Sequence, residues 1–213
     1  PVDMIRVATY VKDIDKAIAM VNMANDLGYE TTVNIMAASI EIEKDLIEAL
    51  DQLAETPVQV VYVVDSYGYF YCEQIEYMVK LYRQHLPASK EIGIHCHNNQ
   101  QLAFANTIEA IIHNANYVDA SLYGIGRGAG NCALELIMGF LKNPKFSLTP
   151  ILKIIQDYMI PMRNELEWGY LIPFMVTGIL NRHPESAISI RKTADKDKYA
   201  EFYEKIRDSL DNI

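Results

Sequence analysis

The sequence predicts an α/β fold in which parallel strands alternate with helices. Short runs rich in β-branched residues recur at intervals of about 25 to 34 residues, beginning near Ile5, Thr31, Val58, Ile92 and Tyr117. The runs are apolar almost throughout, as expected for parallel strands that are buried on both faces. A segment of helical periodicity follows each of the first four runs. Strand, helix and strand at this spacing predict right-handed βαβ units.

The segments between the strands carry residues that start and stop helices. Asp13 is the expected N-cap of the first helix, and Gly28 is its expected stop. Glu41, Glu43 and Asp45 fall in the predicted first turn of the second helix, where carboxylates suit the positive end of the helix dipole. Apolar residues at helical spacing complete each helix, as in Ile14, Ala17, Val21 and Ala24; Leu46, Leu50 and Leu53; Ile75, Met78, Val79 and Tyr82; and Ala105, Ile108 and Ile112.

Five units in about 140 residues extrapolate to roughly 230 residues for eight, close to the ~250 typical of a TIM (β/α)₈ barrel. A doubly wound open sheet is the competing architecture, and the polar residues at the strand ends favour the barrel. We therefore expect residues 1–143 to form five βα units of a TIM barrel. We expect residues 144–213 to form a C-terminal helical extension, ending in a charged helix from Lys192 onward.

Composition excludes several classes of protein. The net charge of −9 and the pI of about 5.0 argue against nucleic-acid binding, which needs a basic surface. The three cysteines are odd in number and form no CxxC pair, which favours free thiols in a reducing compartment. No apolar run approaches 18 residues, so no membrane span is expected. The composition predicts a soluble, cytoplasmic protein.

Two histidines at the end of the fourth strand are the strongest chemical feature. Residues i and i+2 of a strand point to the same side, so His95 and His97 could bind one metal ion while Cys96 points away. The alternative is a pair of hydrogen-bonded core histidines.

Other strand ends carry further polar candidates. Thr9, Asn34, Asp65 and Ser66 fall where the active site of a barrel would lie, and we expect Asp65 and Ser66 to take part in catalysis and Thr9 and Asn34 in substrate binding. The alternative for Ser66 is a role as N-cap of the next helix. Tyr170, in a later aromatic segment, is a further catalytic candidate.

A glycine-rich segment runs from Gly124 to Asn131 and lacks the spacing of a dinucleotide-binding loop. We expect it to bring Asn131 towards a ligand, although the glycines could equally form a tight turn and a helix cap. Arg127 could bind a substrate carboxylate or could be solvated. No lysine stands at a strand end, which argues against a Schiff-base aldolase and favours metal-stabilised enolate chemistry.

The motifs HCHNN, VDASL and GIGRGAGN, in this order, resemble those of the HMG-CoA lyase-like (DRE-TIM) metallolyases. That superfamily includes pyruvate aldolases, isopropylmalate and homocitrate synthases, and pyruvate carboxyltransferase domains. The resemblance covers about Ile5 to Leu141 and is closest to the 4-hydroxy-2-oxovalerate aldolases. It implies that the chain holds strands 4–8 of the barrel. It also implies three preceding units, with an arginine–aspartate pair, in the same gene product or in a partner chain.

The resemblance also implies the site. His95 and His97 match ligands of a divalent ion, Mn²⁺ or Mg²⁺ in preference to Zn²⁺. Asn131 matches an asparagine at or near the metal, and Ser66 matches a serine near the substrate. Two features depart from the family: the C-terminal segment does not match the domain with which aldolases dock a dehydrogenase, and Cys132 falls after Asn131 rather than at the loop cysteine of the lyases.

The expected function is a metal-dependent lyase that acts through a pyruvate enolate and cleaves a 4-hydroxy-2-oxoacid to pyruvate and an aldehyde. An acyl-CoA-dependent Claisen condensing enzyme is the enzymatic alternative, and a non-catalytic ligand-binding barrel is the other. The expected partners are a small 2-oxoacid substrate and further copies of the chain in a homo-oligomer, with neither nucleic acid nor membrane.

Overall fold

The computed structural model describes residues 2–209 and divides the chain into two compact units. The first unit extends to Ser66 and also includes Phe70–His95 and Ala105–Asp119. The second contains Tyr67–Tyr69, Cys96–Phe104 and the chain from Ala120 onward. The predicted boundary at residue 143 stays a prediction. Of the charged C-terminal segment, residues 210–213 lie outside the described residues.

The first unit is built on a five-stranded sheet with the strands in sequence order. They are β1 (Met4–Thr9), β2 (Glu30–Ile35), β3 (Val60–Asp65), β4 (Glu91–Cys96) and β5 (Tyr117–Val118). The pairs β1–β2, β2–β3 and β4–β5 are parallel. The prediction of a parallel α/β fold is therefore confirmed, with each strand beginning within two residues of its expected start.

The last strand is much shorter than the apolar run that predicted it. The Asp119 amide still donates to the Ile94 carbonyl of β4, at 3.0 Å. Two residues later, the amide of Ser121 donates instead to Cys132 in the glycine-rich segment, also at 3.0 Å. The run therefore leaves the sheet because its backbone finds other partners.

Four helices connect the strands: α1 (Ile14–Asp26), α2 (Glu43–Ala54), α3 (Cys72–His85) and α4 (Ala103–Ile112). Each of the first three buries one apolar stripe, for example Ala17, Val21 and Ala24 of α1. Asp13 occupies the N-cap position, but its carboxylate accepts a hydrogen bond from Lys16 at 2.6 Å and makes no cap hydrogen bond. Because α2 begins at Glu43, Glu41 lies outside it.

The second unit contains the glycine-rich segment and shorter helices. These are α5 (Leu134–Leu141), α6 (Leu148–Ile154), a π-helical turn (Ile155–Met159), α7 (Ile160–Met162), α8 (Ile172–Ile179), α9 (Glu185–Ile190) and α10 (Tyr199–Asp208). One apolar cluster joins Phe174, Ala187 and Phe202, and another joins Trp168 to the π-helical turn. None of the helices in residues 2–209 is long and apolar enough to cross a membrane.

Strand register determines which side chains share a face of the sheet. In β1 to β3, Ala8 lies beside Asn34 and Asn34 lies beside Tyr62. The Tyr62 ring packs so closely on Gly93 of β4 that a Cβ there would come within 2.5 Å of it. His95 follows Gly93 by two residues and therefore belongs to the same face. We call this surface, which carries Arg6, Asn34, Tyr62 and His95, the polar face.

Candidate active site

The first predicted metal ligand, His95, is held by a carboxylate from the neighbouring chain segment. Its Nδ1 lies 2.9 Å from Oδ2 of Asp119, the residue directly after β5. A carboxylate accepts hydrogen bonds, so Nδ1 carries the proton and a ligand role would fall to Nε2. Metal-binding histidines commonly have such a carboxylate behind them, because it fixes the ring orientation and raises the basicity of the ring.

Asp119 also binds Arg6 of β1, 113 residues away in the sequence. The guanidinium forms an ion pair with Oδ2 and donates a second hydrogen bond to Oδ1 at 3.1 Å. Burial alone would raise the pKa of Asp119, but the hydrogen bonds from His95 and Arg6 hold it below its usual value. Asp119 therefore remains a carboxylate that can orient both the guanidinium of Arg6 and the ring of His95.

Tyr62 completes this cluster on the polar face. Its hydroxyl accepts a hydrogen bond from Arg6 at 2.8 Å, and the guanidinium lies 4.3 Å from the ring centroid. Burial, together with the negative charge of Asp119, raises the pKa of Tyr62 to about 12. The phenol is therefore neutral at physiological pH and packs the guanidinium against the sheet.

Asn34 lies beside Tyr62 in the register of the sheet and is buried. Within residues 2–209, its buried Oδ1 has no hydrogen-bond partner. An unsatisfied buried amide oxygen costs roughly 1–3 kcal/mol, so this atom is available to a donor from a ligand. The predicted substrate-binding role of Asn34 stays a prediction.

Thr9 and Asp65 lie on the opposite face from His95, because side chains alternate along β1 and β3. The Thr9 hydroxyl donates to the carbonyl of Tyr10 at 3.0 Å, and Asp65 is fully buried. Ser66 follows Asp65, and its Oγ accepts a hydrogen bond from the Ala37 amide at 2.8 Å. Because α3 begins at Cys72, Ser66 is not its N-cap.

In the second unit, the glycine-rich segment holds Asn131 next to His97. The two residues form an antiparallel β-bridge, and the Asn131 amide side chain donates to the Ile125 carbonyl at 3.2 Å. Its buried Oδ1 has no partner among the described residues. Asn131 is not the N-cap of α5, because Ala133 occupies that position.

The glycines let this segment fold tightly around Asn131. Gly130 has φ +80°, and a Cβ there would lie 2.2 Å from the carbonyl oxygen of Gly124. A Cβ on Gly126 would lie 2.7 Å from Nδ2 of Asn131. The segment therefore depends on close approach of backbone to backbone and of backbone to the Asn131 amide.

The remaining two candidates are exposed. Arg127 is an exposed residue in the glycine-rich segment, and Tyr170 is 57% exposed in the segment before α8. Within the second unit, neither belongs to the bridge formed by His97 and Asn131. Their predicted roles stay predictions.

No role was predicted for Arg6 or Tyr62, and Asp119 was expected only as a polar residue at a strand end, without the contact to His95 that orients its ring. Asp119 stands directly after a predicted strand, and Arg6 is a charged residue inside an otherwise apolar strand. These two positions are the only signals in the sequence that point to Asp119 and Arg6. Neither position indicates that the two side chains form an ion pair.

Comparison with known proteins identifies relatives of this chain. The HMGL-like family model matches residues 7–156. A 4-hydroxy-2-oxovalerate aldolase from Marinomonas sp. (strain MWYL1) is 30% identical over 168 residues, which are 77% of this chain and 50% of that protein. The chain therefore spans about half the length of the curated relatives it matches.

Solved structures show the same fold. The N-terminal domain of a protein assigned as an aldolase, from Bacteroides vulgatus, superposes with a TM-score of 0.76 at 27% identity, covering 93% of this chain and 67% of that one. HMG-CoA lyase from Bacillus subtilis superposes with a TM-score of 0.67 at 17% identity, covering 76% and 64%. The five parallel strands thus correspond to part of a TIM-type barrel. With the family model matching most of its length, the chain belongs to the HMGL-like family.

Proposed function

We propose that this chain carries the metal-binding part of a lyase that forms or cleaves a carbon–carbon bond at the enolate of pyruvate. The proposed reaction is retro-aldol cleavage of a 4-hydroxy-2-oxoacid to pyruvate and an aldehyde. The observation that carries the proposal is the hydrogen bond from His95 Nδ1 to Asp119, in a chain whose aldolase-named relatives are about 30% identical.

The proposed ligands of a divalent ion, Mg²⁺ or Mn²⁺, are His95, His97 and Asn131. HMGL-like aldolases depend on divalent metal ions in general. The donors of this chain fit that role, because Asp119 orients the ring of His95 and the buried Oδ1 of Asn131 lacks a partner among residues 2–209. When bound, such an ion supplies Lewis acidity and positive charge that favour an enolate.

The other candidates have proposed roles in substrate binding and catalysis. A substrate hydroxyl would supply the donor that Asn34 Oδ1 lacks within the described chain. The exposed guanidinium of Arg127 suits a substrate carboxylate, and Thr9 is a further proposed contact. Asp65, Ser66 and Tyr170 stay proposed catalytic residues.

The proposed activity also requires parts of the relatives that this chain does not span. We propose that further barrel units, in the same polypeptide or in a partner chain, complete the site, and that the protein is a homo-oligomer acting on a small 2-oxoacid. A cytoplasmic location remains a proposal based on the cysteine pattern.

The test is exchange of the methyl protons of pyruvate in D₂O by the longest polypeptide that the gene encodes, followed by NMR with Mg²⁺, or with Mn²⁺ that is chelated before measurement. We expect metal-dependent exchange that His97→Ala reduces by at least 100-fold, because exchange requires the enolate. His85→Ala is the control, since His85 of α3, like His95, lies within hydrogen-bond distance of a carboxylate, Asp51 of α2, but is not among the proposed ligands.

Three outcomes contradict the proposal. Exchange that is unchanged in His97→Ala would remove the ligand role of that residue. Equal loss in His85→Ala would point to a general structural effect. Absence of exchange despite bound metal would turn attention to acyl-CoA condensation, which is detected as release of free thiol in the presence of a 2-oxoacid.

A further inference from the structure

A second group of potential metal ligands lies between α3 and α4, apart from the polar face. Glu76 is on α3, Glu109 is on α4, and His113 follows the end of α4 by one residue. One ligand atom from each of these residues lies within 4.8 Å of the other two. In the part of the chain that the structure describes, this is the one group of three or more histidine, cysteine or carboxylate side chains that meets this criterion.

The distances suit a small transition-metal ion. His113 Nε2 lies 3.0 Å from Oε1 of Glu109 and 3.7 Å from Oε1 of Glu76. An ion with tetrahedral bonds of about 2.0–2.1 Å places neighbouring ligand atoms about 3.3 Å apart. The two observed distances bracket this value, so rotamer shifts of a few tenths of an ångström would form the site.

The donor set indicates which ion would bind. Mg²⁺ and Ca²⁺ prefer oxygen ligands alone, whereas an imidazole with two carboxylates suits Zn²⁺ and its neighbours in the first transition series. Two carboxylates also neutralise a divalent charge. The side chains of His113, Glu109 and Glu76 are 22%, 25% and 37% exposed, so they are partly buried while solvent can still supply a fourth ligand.

We propose that Glu76, Glu109 and His113 form a binding site for Zn²⁺ or a similar transition-metal ion, which links α3 to α4. Because the ligands come from two helices, the bound ion cross-links elements that are separate in the sequence. The site uses none of the residues proposed as ligands of the enzymatic ion, and it does not rest on the proposed enzymatic function.

Lys80 is the competitor for this site. Its ammonium forms an ion pair with Oε1 of Glu76, one turn away on α3. The Lys80 side chain is 56% exposed, and surface ion pairs of this kind contribute little stability. The ion would therefore displace Lys80 into solvent, and Lys80→Gln is expected to strengthen binding.

The test is a titration with Zn²⁺, and with Co²⁺ for its visible spectrum, followed by calorimetry. It uses the chain with His95→Ala and His97→Ala, so that the ligands proposed for the enzymatic site are removed. We expect one equivalent to bind. Glu109→Gln and His113→Ala should each weaken binding at least tenfold, whereas Lys80→Gln should tighten it.

His85→Ala is the matched control, because His85 of α3 also pairs with a carboxylate across two helices: its Nδ1 lies 2.8 Å from Oδ1 of Asp51 on α2, which is a single carboxylate. It should leave Zn²⁺ affinity unchanged. If the variant with His95→Ala and His97→Ala does not fold, Glu109→Gln and His113→Ala are made in the wild-type chain instead. Each should then lose one equivalent of bound Zn²⁺.

Absence of Zn²⁺ binding in the folded double variant would overturn the proposal. Affinity that survives in both Glu109→Gln and His113→Ala would also overturn it. Neither result bears on the prediction of pyruvate exchange, and a failure of pyruvate exchange does not bear on the prediction of Zn²⁺ binding. The two proposals are therefore tested separately.

Discussion

At the scale of single residues, the polar face depends on interactions between side chains that are distant in the sequence. Asp119 binds both Arg6 and His95, and Tyr62 accepts a hydrogen bond from Arg6. A sequence pattern identifies strand ends, but it does not give the reach of a side chain across neighbouring strands. This is why His95 was predicted as a candidate and its orienting partners were not.

Two of the buried tyrosines, Tyr62 and Tyr82, test how far the hydrogen bond to Arg6 contributes to stability. Tyr62 has a hydrogen-bond donor in Arg6, whereas the buried hydroxyl of Tyr82 has no partner among residues 2–209. We expect Tyr62→Phe to destabilise the protein by about 1 kcal/mol at pH 7 and Tyr82→Phe to be neutral or slightly stabilising. Urea denaturation measures both, and a larger loss in Tyr82→Phe would contradict the assignment of partners.

Tyr62 also predicts how the stability of the protein changes at high pH. The unfolded chain releases the phenol proton near pH 10, whereas the folded chain holds the Tyr62 proton to about pH 12. The folded state therefore carries more protons in this window, and stability falls as the pH rises through it. Tyr62→Phe should lose less stability than wild type between pH 9 and pH 11, as measured by urea denaturation. Equal losses in the two proteins would contradict a raised pKa for Tyr62.

At the scale of elements, the sequence predicted β1 to β4 and α1 to α3 well, because periodicity reports which residues face a core. It did not predict that β5 would stop at Val118, since that depends on Ser121 bonding Cys132. It also left open whether the glycine-rich segment was a turn, a helix cap or a ligand loop. The answer depends on how closely the backbone of Gly130 approaches that of Gly124, which the residue types alone do not indicate.

Gly28 and Gly130 are required for different reasons: Gly28 for its positive φ alone, and Gly130 for its positive φ and for lack of space. Both have positive φ, but a Cβ on Gly28 would meet nothing within 4 Å, whereas one on Gly130 would collide with the Gly124 carbonyl. Gly28→Ala should cost about 1 kcal/mol from strain alone. Gly130→Ala should cost more and should also weaken Mg²⁺ or Mn²⁺ binding, because it displaces Asn131. Urea denaturation and metal titration check this, and equal effects of the two substitutions would contradict it.

At the scale of the whole molecule, the prediction of a barrel class is confirmed, and the chain corresponds to part of such a barrel. Within the described residues, β1 pairs with β2 and with no other strand. The carbonyls of Asp3 and Thr9 accept hydrogen bonds from Glu30 and Met36, so the odd-numbered residues of β1 direct their backbone towards β2. By alternation, the backbone of Met4, Arg6 and Ala8 faces the edge of the sheet.

This geometry makes pairing through the β1 edge testable. An edge strand with unpaired backbone groups pairs readily with another strand, so we expect these 213 residues, expressed without the proposed further barrel units, to associate through β1. Ala8→Pro removes an amide that faces the edge and keeps the bonds to β2, because proline is tolerated at such positions. Light scattering should therefore show an oligomer for wild type and a smaller mass for a folded Ala8→Pro. Val7→Pro, which removes an amide facing β2, should instead lower the melting temperature. A monomeric wild type, or an unchanged mass in Ala8→Pro, would rule out association through this edge.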